Sequence, residues 1–205
     1  MSVTMMNCIE REPEVLARIL REYPHTLAPA AQLLAQKPVR RLLILATGSS
    51  LNAAQCAAFA FSQWATIQVD IREPYPFTHY EQFDEATDWV IALSQSGKSH
   101  STLEAQRKAQ AAGRKVFCLT ADSNSPLARE ADAVLDINCG IEPVGFVTLG
   151  FSATVLNLLL LALLAGEAQG RLDASDRDST LAALHDLTQR LPEVMRRTDA
   201  FITQH

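Results

Sequence analysis

The sequence predicts an α/β protein built on a parallel, doubly wound sheet. Five short apolar runs recur along the chain, and segments with helical spacing fill most of the gaps between them. Strands that are apolar throughout belong to a sheet covered on both faces, and alternating strands and helices pair in parallel through right-handed crossovers. With 205 residues, 48% of them hydrophobic, the chain is long enough for one such domain and an arm.

The first 40 residues are predicted to form a helical arm ahead of the sheet. Apolar residues follow helical spacing over Pro13 to Leu20 and again over Thr26 to Leu34. Tyr23 and Pro24 lie between these segments, and a proline inside a helix removes a backbone hydrogen bond. The pattern therefore predicts a helical hairpin divided at Tyr23 and Pro24.

Residues 41–170 are predicted to form the sheet domain. The predicted strands are Arg41 to Ala46, Ile67 to Ile71, Trp89 to Leu93, Val116 to Thr120 and Val134 to Ile137. The helices predicted between them are Asn52 to Trp64, Ser101 to Ala112 and Pro126 to Ala131. We expect a flavodoxin-like order of the five strands, which is a common order for doubly wound sheets.

The connection after the second strand departs from this alternation. Pro74 and Pro76 flank Tyr75 directly after that strand. Because proline is unfavourable inside a helix, the sequence predicts no more than one broken turn before Trp89.

A stretch of 24 residues from Pro143 to Gly166 carries no charge, which is long enough to cross a membrane. Its first half contains several Gly, Ser, Thr and Asn residues, and no Lys or Arg cluster flanks it. We therefore predict a buried helix from Thr148 to Ala165, packed against the sheet or in a subunit interface.

The last 35 residues, 171–205, are predicted to form a helical tail. From Ser179 to Ile202, apolar residues recur at steps of three or four, which predicts one or two amphipathic helices. Pro192 is the point at which such a helix would break or restart.

Charge and cysteine content narrow the classes of partner. The formal net charge is −5 and the pI is about 5.5, which gives no electrostatic reason for binding nucleic acid or an anionic membrane. The four cysteines have no CxxC spacing, so we expect mostly buried, reduced thiols and neither a disulfide framework nor a metal site. Residues 1–11 lack the apolar run of a secretory signal, and we expect a cytoplasmic protein.

Two loops after predicted strands are rich in hydroxyl groups and lead into helices: Thr47 to Asn52 after the first strand, and Ser94 to His100 after the third. Ligands of doubly wound sheets bind at the carboxyl ends of strands, and helix N-termini attract anions. Ser101 and Glu104 have the spacing of a capping box, which would start the next helix there. The alternative is that the loops only turn the chain and cap helices, as Ser125 and Pro126 are predicted to do.

Four segments together resemble the SIS (sugar isomerase) domain in order and spacing. They are ATGSSLNAA from Ala46, ALSQSGKSHSTLEA from Ala92, LTADSNSPLAREAD from Leu119 and CGIEPVGFVTLGF from Cys139. The likeness is strongest to the first SIS domain of the isomerase half of glucosamine-6-phosphate synthase, and to related amino-sugar deaminases and fructosamine-phosphate deglycases. It implies a phosphosugar ligand and no cofactor. The positions that match the family's ligand-binding loops are Ser49, Ser50, Ser94, Gln95, Ser96 and Ser99.

The chain departs from the family pattern at several points. Lys98 stands where the family usually has an acid, and Leu149 follows Thr148 where a lysine is common. The resemblance implies that the catalytic acid and base groups of the synthase lie outside its first SIS domain. They belong to a second SIS domain and the C-terminal tail, and a histidine reaches the site from a neighbouring subunit. We therefore expect that this chain is half of a two-domain enzyme, or that it forms a homodimer in which the second copy supplies the missing half of the site.

Sugar-phosphate isomerisation moves a proton between C1 and C2, so a base is required. Glu142 follows the fifth strand and matches a glutamate common in the family; the alternative is that it only orders its loop. His100, His79 and Glu81 are expected to be surface or loop residues. The remaining histidines, His25, His185 and His205, lie in helical or terminal segments without the pairing of metal ligands.

The function predicted from the sequence is that of a phosphosugar-binding domain of an isomerase, deaminase or deglycase. A non-catalytic sensor of sugar phosphates is the main alternative, although the arm is too short and insufficiently basic for a DNA-reading domain. A nucleotide-binding module is disfavoured because no GxGxxG motif follows the first strand, even though Asp70 lies where a ribose-binding acid would fall.

Overall fold

The computed structural model describes residues 3–204, which form a five-stranded parallel sheet flanked by helices. The strands, in chain order, are β1 (Arg41–Leu45), β2 (Gln68–Arg72), β3 (Trp89–Leu93), β4 (Val116–Thr120) and β5 (Ala133–Asp136). Their spatial order is β2-β1-β3-β4-β5. The predicted flavodoxin-like order is therefore confirmed.

Helices precede, connect and follow the strands. They are α1 (Met5–Glu10), α2 (Glu12–Thr26), α3 (Ala28–Gln36), α4 (Gly48–Ala65), α5 (Pro74–Tyr80), α6 (His100–Ala111), α7 (Pro126–Glu130), α8 (Leu149–Ala168) and α9 (Ala174–Gln204). The short helix α1 was not predicted. It begins with a reciprocal pair of hydrogen bonds between Thr4 and Asn7.

The two faces of the sheet carry different helices, because alternate residues of a strand point to opposite faces. Leu42 and Ile44 of β1 belong to a cluster that also contains the buried residues of α2, α3, α4 and α8. Leu43 and Leu45 belong to a second cluster, with α5, α6 and α7. Both faces are covered, as the continuous apolar strands predicted.

The division of the N-terminal arm lies later than predicted. Helix α2 continues through Tyr23 and Pro24 to Thr26, and the break occurs at Leu27. Pro24 lies in the last turn of α2, where its ring and its missing N–H disturb only the final backbone bonds. The two helices of the predicted hairpin are present, separated by one residue.

The connection after β2 corrects the sequence prediction. Pro74 to Tyr80 form the helix α5 rather than a broken turn. Pro74 and Pro76 occupy its first turn, where backbone N–H groups have no intrahelical acceptor in any case. Two prolines there are therefore compatible with a helix that Phe77 anchors in the core.

The tail forms one helix and not two. Helix α9 has 31 residues and passes through Pro192 without a break. It packs mainly along α2 and leaves most of its surface exposed, with Thr188 its buried residue.

The uncharged stretch forms the most buried helix of the domain. Among the described residues, α8 is the one helix long and apolar enough to cross a membrane, and 72% of its most apolar stretch is buried inside the protein. It packs chiefly against α4, and Leu158 and Leu160 to Leu163 are fully buried. The predicted buried helix is confirmed, and the chain's own helices cover it.

Candidate functional site

The candidate site lies at the carboxyl edge of the sheet between β1 and β3. These strands are neighbours, yet β1 leads into α4 on one face and β3 leads into α6 on the other. Leu45 pairs with Ala92, so Thr47 and Ser94, two residues further on, begin their loops at the same level. The diverging chains create the crevice in which doubly wound folds bind ligands.

The loop after β1 is short and open to solvent. Thr47 is the N-cap residue of α4, but its side chain makes no capping hydrogen bond. Gly48 has φ +58°, and Ser49 is exposed while Ser50 is half-buried in the first turn. The first N–H groups of this 18-residue helix thus face the crevice edge without a side-chain acceptor.

The loop after β3 is held to the loop after β4. The carbonyl of Gln95 accepts hydrogen bonds from the N–H of Ala121 at 2.9 Å and the hydroxyl of Thr120 at 3.3 Å. The carbonyl of Gly97 accepts one from the N–H of Leu127 at 3.2 Å. These bonds fix the course of the loop independently of any ligand.

Gly97 is the tightest point of this loop. Its φ of +63° lies in the left-handed region, and its N–H donates to the carbonyl of Ser94 at 3.0 Å. A Cβ at this position would lie 2.0 Å from the Oγ of Ser125, the residue that caps α7. Glycine is therefore required both for the turn and for packing.

Serine hydroxyls surround this turn with different degrees of exposure. Ser94 is buried, and Ser96 is exposed with its Oγ accepting from the N–H of Lys98 at 3.3 Å. Ser99 is the N-cap of α6 and accepts from the N–H and the hydroxyl of Thr102. Helix α6 thus begins at His100, one residue before the predicted start at Ser101. Ser99 has the same capping chemistry as Ser101 and precedes it in the chain, so it takes the N-cap position.

The side chain of Gln95 turns inward toward the start of α8. Its Nε2 is buried, and the side chain interacts with the Cys139 thiol, whose pKa it lowers. A Cβ on Gly150 would lie 2.8 Å from the Cγ of Gln95 and 3.1 Å from the Oε2 of Glu142. Gly150 therefore allows the helix start to approach both side chains closely.

Glu142 is buried and caps α8. Its Oε1 accepts from the N–H of Thr148 at 2.9 Å and from the Thr148 hydroxyl at 2.8 Å, while its Oε2 accepts from the N–H of Gly150 at 2.8 Å. A carboxylate at a helix N-terminus satisfies unpaired donors and complements the helix dipole. The loop-ordering role considered for Glu142 is thus visible in its hydrogen bonds.

The N-terminal arm reaches this region with residues that the sequence analysis did not single out. Burial raises the pKa of the Cys8 thiol, and the neighbouring, hydrogen-bonded Glu142 carboxylate raises it further. Burial also raises the pKa of Glu12, which a hydrogen bond to Ser152 partly offsets. These contacts join residues more than 130 positions apart in the chain.

The structure places the six predicted binding residues at one edge of the sheet. Ser49 and Ser50 lie in the first turn of α4, and the other four lie in the turn and N-cap between β3 and α6. The predicted cap at Ser125 and Pro126 is confirmed.

The other candidate acids and bases are engaged elsewhere or lie on helical surfaces. His100 pairs with Glu104 at 3.3 Å, His79 packs against Tyr75 with the rings tilted and their centroids 4.5 Å apart, and Glu81 accepts from Arg72. His25 and His185 are exposed in α2 and α9, and His205 lies outside the described residues. Asp70 accepts from Arg72 at 2.8 Å, and Leu149 is buried at the start of α8.

The four cysteines are free thiols. Cys8, Cys118 and Cys139 are buried, as expected, whereas Cys56 is exposed on α4. Burial raises the pKa of Cys118 to about 12 and that of Cys139 to about 11, and an interaction with the Gln95 side chain partly offsets the rise at Cys139. Both thiols are therefore protonated near neutral pH.

Comparisons with known proteins agree with this architecture. The SIS domain profile matches residues 33–165. The glutamine–fructose-6-phosphate aminotransferase (isomerizing) of Caulobacter vibrioides is 29% identical over 195 residues, covering 94% of this chain and 32% of that protein.

Solved structures share the fold. A Clostridium difficile 630 protein assigned to the phosphosugar isomerases superposes with a TM-score of 0.89 at 22% identity, covering 98% of this chain and 57% of that one. An Escherichia coli CFT073 protein in complex with arabinose 5-phosphate gives a TM-score of 0.65 at 15% identity, covering 85% of this chain and 94% of that one.

The chain spans about a third of the length of the curated relative and about half that of the first structural neighbour. The family profile nevertheless covers about two thirds of the chain, including every strand of the sheet and both hydroxyl-rich loops. The chain belongs to the SIS domain family and is similar to the isomerase domains of glutamine–fructose-6-phosphate aminotransferases.

Proposed function

We propose that this chain binds a sugar phosphate in the crevice between the loops after β1 and β3. The observation that carries the proposal is the pairing of two hydroxyl-rich helix starts across the switch point of the sheet. The protein has a net charge of −5, so an anion has to be held by local donors rather than by the overall field.

The loop after β3 is proposed to hold the phosphate. Ser94, Ser96 and Ser99 supply hydroxyl groups around a turn whose backbone is already fixed, and α6 directs its N-terminus toward them. Gln95 is half-buried at the base of the loop between Ser94 and Ser96, a position that supports a ligand contact there. A site fixed in advance loses little conformational entropy when the anion binds.

The loop after β1 is proposed to contact the sugar hydroxyls or share the phosphate. Ser49 and Ser50 lie in the first turn of α4. The side chain of the N-cap residue, Thr47, accepts no hydrogen bond from the first backbone N–H groups of this helix. Helix N-termini of this kind favour negatively charged or oxygen-rich groups.

The reaction class proposed is proton transfer of the aldose-ketose type, in an isomerase, deaminase or deglycase. The similarity to the isomerase domains of aminotransferases supports it. Glu142 stays the candidate base, although its three hydrogen bonds to the start of α8 favour a positioning role.

A sugar-phosphate sensor without catalysis is the second candidate. The engagement of Glu142 as a helix cap favours it, because both of its carboxylate oxygens already accept hydrogen bonds from the start of α8. Conversion of fructose 6-phosphate or glucosamine 6-phosphate by the purified chain would show that it is an enzyme and not a non-catalytic sensor.

We further propose a cytoplasmic homodimer that uses no cofactor, nucleic acid or membrane. Free thiols at all four cysteines fit a reducing compartment. This chain covers 94% of the structure in complex with arabinose 5-phosphate, which supports a ligand site formed on one such domain or shared between copies of it.

Titration calorimetry with fructose 6-phosphate and glucosamine 6-phosphate tests the site. Ser96→Ala removes one hydroxyl donor to a charged group, worth about 1.5–3 kcal/mol, or roughly a tenfold to hundredfold weaker Kd. Ser62→Ala, an exposed serine far along α4, is the control and should bind like the wild type. Unchanged binding by Ser96→Ala would remove the loop from the site.

A further inference from the structure

The end of α9 projects from the body of the protein. The helix has 31 residues, about 46 Å in length, and every described residue after Met195 is exposed. In proteins, packing of an apolar face supplies most of the stability of a helix, so an exposed apolar stripe on α9 is a candidate contact surface.

An apolar stripe and a groove lie beside each other on this side of the molecule. The stripe consists of Leu187 and Val194, which are 62% and 54% exposed and seven residues apart, so they lie on the same side of α9. The groove has a volume of about 220 Å³. Its walls come from α2, α8 and α9 and include Leu16, Phe151, Val155, Leu159, Leu184 and Leu191.

Charges on one flank of the stripe alternate in sign. Asp186, Arg190, Glu193 and Arg197 follow one another at steps of four, three and four residues, which keeps them on one side of the helix. Within the chain, Arg190 pairs with Asp186 and Arg197 with Glu193, each at 2.8 Å.

This alternation is self-complementary when the helix direction is reversed. In an antiparallel pair centred between Leu191 and Pro192, Asp186 lies level with Arg197 of the second helix, and Arg190 lies level with Glu193. A parallel pair in register would place like charges opposite one another, which is unfavourable. The charges therefore select a second α9 in the antiparallel direction.

We propose that this surface joins two copies of the chain, with α9 packed antiparallel to α9 around a two-fold axis near Leu191 and Pro192. The projecting end of each helix then lies along the groove of the other copy, as an isologous interface requires. The inference depends on the homodimer proposed above and not on sugar-phosphate binding.

The arrangement brings the partner close to the candidate site. Helix α8 starts at the carboxyl edge of the sheet, and Phe151 of its first turn lines the groove together with Leu191 of α9. Helix α9 therefore runs toward that edge, and its projecting end and the second copy lie beside the start of α8.

Sedimentation velocity of the full chain over micromolar concentrations tests the interface. The wild type should be a dimer, and Val194→Arg should weaken dimerisation at least tenfold. Gln189→Arg adds the same charge at an exposed position on the far side of α9 and should leave the dimer intact. A monomeric wild type, or equal behaviour of the two variants, would overturn the proposal.

A charge swap tests the antiparallel register. Arg190→Glu and Glu193→Arg should each weaken the dimer, and the double variant should restore it because the reversed charges face each other again. Positions 190 and 193 are also neighbours within one helix, so circular dichroism of all three variants is measured as a control, and restoration at equal helix content reports the contact between copies. Failure of the double variant to restore the dimer, with helix content unchanged by circular dichroism, would contradict this register.

Calorimetry on Val194→Arg separates the two proposals. Retained binding of the sugar phosphate by a monomeric variant would leave the ligand site standing whatever the outcome for the interface. A wild type that dimerises through α9 without binding the ligand would support the interface and refute the proposed function.

Discussion

The two loops that face each other across the switch point are built in opposite ways. The loop after β3 is tied to the β4 loop by three hydrogen bonds and closes on Gly97, which touches Ser125. The loop after β1 has an uncapped helix start, and a Cβ on Gly48 would have no atom within 4 Å. One side of the crevice is thus fixed before a ligand arrives, and the other is open to it.

This difference indicates that the two loops contact different parts of one ligand. Fixed donors recognise a group of constant shape such as a phosphate, since preorganisation lowers the entropy lost on binding. An open helix start tolerates the variable hydroxyl pattern of a sugar. Substitutions in the two loops should therefore have unequal effects on stability.

The largest difference is expected between the two glycines. Both have positive φ, which costs a substituted alanine about 1–2 kcal/mol. Gly97→Ala adds overpacking against Ser125 worth about 1–3 kcal/mol, so its free energy of unfolding should fall by about 3 kcal/mol in all. Gly48→Ala should lose only the strain, and urea unfolding of the two variants measures the difference. Equal losses would show that the loop after β3 yields as easily as the loop after β1.

The next effect concerns the buried support behind the β3 loop. Glu142→Gln keeps the size of the side chain but directs an NH₂ group at a donor of Thr148 or Gly150, which should cost about 2 kcal/mol of unfolding free energy. Glu104→Gln, a more exposed change on α6, should cost far less. A loss of turnover in Glu142→Gln with unchanged stability would instead indicate that Glu142 is the base.

The smallest expected difference in stability is between removal of the N-cap side chain of α6 and removal of that of α4. Ser99→Ala removes the cap of α6 and should cost about 1 kcal/mol. Thr47→Ala should cost almost nothing, because the Thr47 side chain makes no capping bond. Ser101→Ala should resemble Thr47→Ala, and thermal unfolding of the three variants checks the order. A larger loss of stability for Ser101→Ala than for Ser99→Ala would show that Ser101 caps α6, as the sequence predicted.

Proline shows where local rules misjudged the chain. The sequence predicted a break at Pro24 and no more than a broken turn after Pro74, yet both segments are helical, and at Pro192, where one or two helices were predicted, there is one. The outcome depends on which backbone donors already lack partners and on how the rest of the helix packs. Neither property is contained in the residues next to the proline.

The sequence alone predicts the α/β class, the five strands, the buried uncharged helix and the two hydroxyl-rich loops. These features follow from hydrophobic periodicity and small-residue turns, which are local. The folded structure was needed to show that Ser99 rather than Ser101 caps α6, that Glu142 accepts hydrogen bonds from the start of α8, and that Cys8 lies against Glu142. Such contacts depend on elements that are distant in the chain and meet only when the sheet and its helices have packed.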